Sequence, residues 1–387
     1  MSKLFSTKMD FFQTSIFNEL ASYKQQKIKQ GIEVFDLSIG SPDLPPPKHV
    51  MEQLSLSALD PKSYRYSLAG TSELHQAIIN YSKQNDQVIL DPESEVLTVM
   101  GSQDGLVHLP LVLANAGDVV LVPDPGYTAY AAGIALTEAT PYPMPLLEEN
   151  HFLPDLQAIP TEIRQRAKLM ILNYPGNPVP AMATKEFFQQ VIQFAREHNI
   201  IVLHDFAYSE LYYSERPISF LSIEGAKEVG IEFNSLSKSF NMAGARIGYV
   251  TGNSLVIEGL KRLKSNLDYG VFLPIQKAAV SALSKSSHFS NELREVYKDR
   301  RDVLVNGLNA LGWTVQPPRA SMFVWAKVPS GYTSTEFAYK LIDETGVVTT
   351  PGVAFGQRGE GYIRISLVQD KNILHKAVQQ LHHSKIF

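Results

Sequence analysis

Short apolar runs rich in β-branched residues alternate with longer helical stretches through the middle of the chain, and nothing else in the sequence limits its folding as tightly. Residues 96–100 (VLTVM), 119–122 (VVLV), 168–172 (KLMIL) and 200–203 (IIVL) read as strands, with 231–235 and 247–250 as two more. Residues 106–114 and 185–197 carry helical spacing. Strands that are apolar throughout are covered on both faces, which predicts an α/β fold with a mostly parallel sheet between helices. In such a sheet, ligands lie beyond the carboxyl ends of the strands. Polar clusters follow the strands at those ends: GSQDG (101–105), PDPGY (123–127), NYPGNP (173–178), HDFAY (204–208) and SLSKSF (235–240). The last third differs. A charged helical stretch at 290–311 precedes strand-like 313–315 and 322–326, a helix near 334–344 and a strand at 362–367. This predicts a large domain over 45–280 and a smaller α+β domain built from 281–387 and the N-terminal arm, 1–44. The proline-rich stretch 42–47 is a stiff crossing segment.

Composition narrows the function. A chain of 387 residues, 44% of them hydrophobic, buries a core that needs no disulfide or metal staple. It has no cysteine, which excludes disulfide scaffolds, thiolate zinc sites, iron–sulfur clusters and cysteine nucleophiles. A net charge of −4 gives no reason to expect a nucleic-acid partner. The N-terminus lacks the uninterrupted apolar core of a secretory signal. The most apolar region, 106–122, is broken by His108, Pro110, Asn115 and Asp118, so no membrane span is expected. A soluble, cytoplasmic protein without a metal site is the expectation.

The polar clusters carry the chemistry. Lys238 follows an apolar strand among small hydroxyl residues, with Arg246 eight positions on. A lysine in a partly desolvated site loses its proton readily and can condense with a carbonyl. Ser235, Ser237 and Arg246 would then hold a phosphate. An exposed lysine beside a structural arginine is the plain alternative. Asp205 ends the run IIVLHD, well placed to face a buried ligand ring and keep a ring nitrogen protonated, and Tyr208 follows as a donor. A helix N-cap and a core tyrosine are the alternatives there. Asn177 lies between prolines that hold its backbone rigid, as a fixed amide or simply within a turn. Gly101 permits close approach, and the amides of Ser102 and Gln103 would open a helix toward an anion, unless Ser102 merely caps it. Tyr127 would stack on a planar ring or sit in the core. Arg364 stands inside an apolar strand, where its charge needs a carboxylate: that of a substrate or that of an internal salt bridge. Gly40 offers bare backbone to a substrate, or turns the chain.

Together these groups resemble the fold-type I pyridoxal-phosphate enzymes of the class I/II aminotransferases. The resemblance runs from Gly40 to Ser366 through GSQDG, PDPGY, NYPGNP, HDFAY, SLSKSF with ARIGY (245–249), and GYIRIS (361–366). Among subgroups the chain looks closest to the LL-diaminopimelate and alanine/aspartate aminotransferase-like branch. The resemblance implies pyridoxal 5′-phosphate as cofactor and a seven-stranded-type sheet. It makes Lys238 the Schiff-base lysine and Asp205 the partner of the pyridinium nitrogen. Tyr208 and Asn177 would bond the ring oxygen, and Tyr127 would stack on the ring. Ser102, Gln103, Ser235, Ser237 and Arg246 would hold the phosphate, and Arg364 and Gly40 the substrate carboxylate. Relatives bring a tyrosine across from the partner subunit, which implies a homodimer. Tyr66 is taken for that role, with Tyr64 as the alternative. Two departures stand out: Val179-Pro180 replaces Thr-Gly after Asn177-Pro178, and Ala245 stands where relatives often carry a large aromatic.

The expected reaction is transfer of an amino group from an L-amino acid to a 2-oxo acid by ping-pong kinetics, with LL-diaminopimelate, aspartate or alanine as donor and 2-oxoglutarate as acceptor. A carbon–sulfur β-lyase of the same fold is the alternative enzyme. A non-catalytic coenzyme-binding regulator is the alternative of another class, although the residues before Gly40 are too few and too weakly basic for a DNA-binding module. Phe11, Phe12 and Phe17 would shape a substrate pocket or dock the arm.

Overall fold

The computed structural model describes residues 4–12, 16–384 and 386–387. Strand β1 (Phe35–Asp36) comes first. It is followed by β2 (Val96–Val99), β3 (Val119–Asp124), β4 (Thr140–Pro145), β5 (Ala167–Asn173), β6 (Ile201–Asp205), β7 (Gly230–Ser235) and β8 (Gly248–Gly252). The chain closes with β9 (Phe323–Lys327), β10 (Val347–Val348), β11 (Thr350–Pro351) and β12 (Tyr362–Ser366). Strands β2 to β8 form one sheet in the order β2-β8-β7-β6-β5-β3-β4. β8 is antiparallel to both neighbours and the other pairs are parallel, so the sheet is mostly parallel, as the sequence predicts.

Side chains along these strands alternate between two cores. Val119, Leu121, Met170, Leu172 and Val202 join one. Val120, Leu169, Ile171 and Leu203 join the other. Helices Ser72–Asp86, Lys185–His198 and Leu273–Ser284 cover the first face, and Ser102–Leu113, Ala129–Thr137 and Ser254–Leu267 cover the second. Each buried branched side chain contributes about 1.5–3 kcal/mol, and with apolar demand on both faces a one-residue slip of register is costly.

A third core gathers Phe35, Leu37, Tyr297, Leu304, Trp313, Phe323, Ile363 and Leu374. Around it lie the antiparallel sheet β11-β12-β9, the parallel pair β1-β10 and helices Ser286–Ala310, Ser334–Thr345 and Lys371–His383. Arg300 grips both carboxylate oxygens of Asp43 at 2.8 and 2.7 Å, tying the proline-rich segment 42–47 to the long helix.

Besides the two-residue strands β1, β10 and β11, which the sequence reading does not include, two segments differ from it. Residues 313–315 are not a strand, because Asn309 satisfies the backbone of Val315 on both sides, at 2.7 and 3.1 Å, and leaves nothing for a ladder. Strand β4 is missing from that reading because TPYPMP holds prolines at 141, 143 and 145. It lies at the sheet edge and pairs only with β3. Alternate N–H groups of an edge strand face outward, and the prolines occupy the positions where no donor is needed.

Candidate active site

The carboxyl ends of β5, β6 and β7 lie side by side, with Asn173 beside Asp205 and Asp205 beside Phe233. A cleft of about 690 Å³ opens there. Its walls include Gly40, Ser102, Gln103, Tyr127, Asn177, Asp205, Tyr208, Ser235, Ser237, Lys238, Arg246 and Arg364. Thus twelve of the thirteen residues singled out for the site meet in one place. Tyr66 is not among them: it is 81% exposed and lies against Tyr269, ring centroids 5.0 Å apart. Tyr64 is exposed too, with its hydroxyl donating to the Ala58 carbonyl.

Lys238 lies on the short helix Leu236–Ser239 directly after β7. Its Nζ donates to the Gly40 carbonyl at 2.6 Å. Burial, then the charges of Arg364 and Arg246, lower its amine to about 8, against the pull of Asp205. It is therefore no exposed surface lysine. Asp205 caps no helix. Its Oδ2 accepts from the Tyr130 hydroxyl at 2.8 Å, and its Oδ1 from the Ala207 amide at 3.3 Å. Burial raises its carboxyl above the usual range, and those two hydrogen bonds and the charges of His204 and Lys238 oppose the rise. A carboxylate whose charge is costly gains most from a cationic group set opposite it. The Tyr208 phenol is pushed up by burial and stays protonated, hence a donor.

Arg364, 4% exposed, faces no Asp or Glu in an ion pair among the described residues. Its Nη1 donates to Asn177 Oδ1 and its Nη2 to the Ser38 carbonyl, both at 2.7 Å, and its Nε is buried without a partner. The rings of Phe323 and Phe355 flank it at 4.3 and 4.8 Å. Burial lowers the guanidinium to about 10. The internal salt bridge considered for Arg364 is thus absent, and an anion from outside would supply the missing charge. A Cβ at position 40 would lie 3.6 Å from Phe323 and 3.9 Å from Arg364 Nη1, within the space a carboxylate would use.

The third cation is Arg246, whose backbone is left-handed at φ +53°. Its Nη1 donates to the Ala243 carbonyl at 3.1 Å. Its guanidinium passes Gly101, where a Cβ would stand 2.6 Å from Nη2. Gly101, at φ +80°, is the N-cap of helix Ser102–Leu113, so Ser102 opens the helix rather than capping it. Ser102 and Gln103 at that helix start, Ser235 and Ser237 after β7, and Arg246 all line the cleft, and the unpaired amides of a helix start suit an anion. Ser235 Oγ also accepts from the Ser237 amide at 3.2 Å.

Several residues that sequence reasoning passed over matter here. Tyr130 holds Asp205. Asn173 donates to the Asp205 carbonyl at 2.8 Å and accepts from the Asn177 amide at 2.8 Å, locking the two segments together. Ser38 orients Arg364 through its carbonyl. Of the three phenylalanines of the arm, Phe17 lines the cleft and meets Phe355 edge-on at 5.6 Å, while Phe11 and Phe12 are exposed and do not line it. Asn173 and Tyr130 stand within three to five residues of Asn177 and Tyr127, and that proximity was the only signal available.

Three cations and one buried acid, with a helix start at one end and flanking aromatic rings, suit a ligand that combines an aldehyde, a pyridine ring and a phosphate. The residues present therefore fit the coenzyme the resemblance implies. No group of three metal-ligating side chains occurs among the described residues, and no described helix is long and apolar enough to cross a membrane.

Known proteins point the same way. A family model described as "Aminotransferase class I and II" matches residues 32–381. An LL-diaminopimelate aminotransferase of Desulforudis audaxviator is 46% identical over 95% of this chain and 94% of its own. That of Aquifex aeolicus is 42% identical over 99% of each. Among solved structures, substrate-bound BacF from Bacillus subtilis superposes with a TM-score of 0.96 at 36% identity, covering 99% of this chain and 98% of that one. A probable N-succinyldiaminopimelate aminotransferase from Thermus thermophilus gives 0.91 at 32% identity, covering 96% and 100%. The lyase and regulator alternatives find no support among these relatives. With its fold and nearly its whole length shared with such proteins, the chain belongs to the class I and II aminotransferases.

Proposed function

We propose that this aminotransferase uses pyridoxal 5′-phosphate, works as a homodimer, and moves an amino group from LL-diaminopimelate to 2-oxoglutarate. The observation that carries the reading is one amine, Lys238, lowered to about 8 in a cleft that also holds Asp205, Arg246 and Arg364. The names of the relatives support the donor, with aspartate and alanine as the other candidates.

When bound, pyridoxal phosphate supplies an aldehyde that condenses with amines and a ring that takes up the charge left behind when a Cα proton departs. The protein does the rest. The Ser102 and Gln103 amides, the Ser235 and Ser237 hydroxyls and Arg246 would hold the phosphate. Asp205 keeps the ring nitrogen protonated, Asn177 and Tyr208 would donate to the ring oxygen, and Tyr127 would lie against the ring. Arg364 grips the substrate α-carboxylate beside the bare backbone of Gly40, which orients the Cα–H bond. The Lys238 Nζ would take the Cα proton as a base and then, as an acid, deliver it to the carbon that came from the coenzyme aldehyde.

The dimer is supported by exposed apolar side chains grouped around two paired segments. Tyr64 packs on Phe272 at 5.3 Å, Tyr66 on Tyr269, and Ser67 bridges Gly270, with Leu56, Leu59 and Leu267 exposed nearby. Such a surface suits a partner, and a second copy would bring Tyr66 to the phosphate end of the cleft. Two main cores support a division into a coenzyme-binding domain over 45–280 and a smaller one from 1–44 and 281–387, with Ala207, Tyr208 and Leu211 packing into the smaller core and Ala282 and Leu283 into the larger. A cytoplasmic location is part of the same proposal.

The test begins with the purified protein and added coenzyme. A visible absorbance band forms, LL-diaminopimelate alone converts it with about one 2-oxo acid released per site, and 2-oxoglutarate restores it. Lys238→Ala abolishes the lysine-linked band and turnover. A variant that keeps both would overturn the assignment. Faster turnover of aspartate or alanine than of LL-diaminopimelate would overturn the donor alone.

A further inference from the structure

Lys264 is 1% exposed, lies outside the cleft, and none of the roles above uses it. It sits on helix Ser254–Leu267, and its Nζ contacts two acids that lead in opposite directions. Toward the cleft it pairs with Asp104 Oδ2, which also accepts from the Met100 amide at 2.9 Å. His108 Nδ1 lies 2.7 Å from the other oxygen of Asp104. Met100 and Asp104 bracket Gly101, Ser102 and Gln103, the turn whose amides face the phosphate end of the cleft. Burial opposes the charge on Asp104, but His108 and Lys264 outweigh it and hold the carboxyl down at about 2.

Toward the surface, Lys264 pairs with Asp268 Oδ2 at 2.6 Å. Asp268 Oδ1 accepts from the Gly270 amide at 2.9 Å. Gly270 bridges Ser67, and the neighbours on each side, Tyr66 and Tyr269, are exposed rings of that apolar group. One ammonium thus connects the turn that faces the phosphate to the loop pair that faces a second subunit. Buried charges held on both sides are geometrically demanding, because losing either partner strands the other.

We infer that Lys264 is a positioning residue that couples coenzyme binding to subunit association, by holding the phosphate-facing turn and the Tyr66–Tyr269 surface in one ionic network. The inference rests on the coenzyme and homodimer readings given above. Binding couplings of this kind are reciprocal and amount to roughly 5–150-fold. The coenzyme should therefore tighten the wild-type dimer, and the dimer should tighten the coenzyme, by the same factor.

The experiment measures the dimer dissociation constant by sedimentation, with and without pyridoxal phosphate, for wild type, Lys264→Met and Asp268→Asn. Circular dichroism verifies that each variant is folded. Asp268→Asn keeps the Lys264–Asp104 pair and weakens only the arm toward the surface, so it decides the matter if Lys264→Met does not fold. Wild type shows tighter association with coenzyme, and in the folded variants that enhancement falls at least about fivefold. A purely structural role would lower stability and leave the enhancement unchanged, and that result would overturn the inference. A wild type that takes up no coenzyme, or stays monomeric at every concentration, would remove the reading beneath it as well.

Discussion

Arg364 concentrates the chemistry of the cleft into one side chain. A buried guanidinium with flanking rings, an amide oxygen and a carbonyl, but no carboxylate, is preorganised for a carboxylate to arrive. Lysine at this position keeps a charge but loses the planar fork and the ring contacts. Arg364→Lys should therefore lower kcat/KM about 100-fold or more, chiefly through KM, in steady-state kinetics with any donor. Lys238 gives a pH signature. In the unfolded chain its amine keeps its proton up to the ordinary lysine value of 10.5, whereas in the folded site it releases it near 8. Between those values the unfolded state binds more protons, so the coenzyme-free protein gains stability as pH rises from 8 to 10.5 and loses it as pH falls back. The contribution is on the order of 3 kcal/mol. Lys238→Met should flatten that slope in denaturant titrations across this window; an unchanged slope would contradict the lowered amine.

At the scale of elements, the site depends on how strands hand over to helices. β2 ends at Val99, and Gly101 then turns the chain into helix Ser102–Leu113 with Arg246 lying across the turn. Only a residue without Cβ allows both the positive φ and that close passage. Gly101→Ala should weaken pyridoxal phosphate binding about tenfold or more in a spectral titration and cost about 1 kcal/mol of stability. The proportions matter: a larger loss of stability than of affinity would place the role of Gly101 in folding rather than at the site.

At the scale of the molecule, a buried ion cluster spans the cores. Glu210 accepts from Arg216 at 2.6 Å, from Arg294 at 3.1 Å and from the Tyr81 hydroxyl. Arg216 also donates to Asp86 at 2.9 Å. Tyr81 and Asp86 belong to helix Ser72–Asp86 on the large sheet, whereas Arg294 belongs to the long helix Ser286–Ala310. Glu210→Ala leaves two arginines without their central partner and should cost about 3–5 kcal/mol. Guanidinium unfolding monitored by circular dichroism checks this, and a loss below about 1 kcal/mol would show that the cluster does not hold the cores together.

Apolar runs of four or five residues, each followed within two residues by a polar cluster, were enough to place most of the large sheet and to locate a site at its carboxyl edge. Burial on both faces and tight strand-to-helix turns are local demands, and they leave local marks. The groups that orient the site left fainter ones. Asn173 and Tyr130 became meaningful only when β5, β6 and helix Ala129–Thr137 came together. Ser38 acts through a carbonyl that any residue would supply. The edge position of β4 and the side-chain pairing at Val315 likewise depend on neighbours distant along the chain or on a partner amide. Residue types and spacing thus determined which chemistry this protein can perform. Tertiary structure decided which charges stand unpaired, because an ionic partner is chosen by distance in space, and the sequence records only distance along the chain.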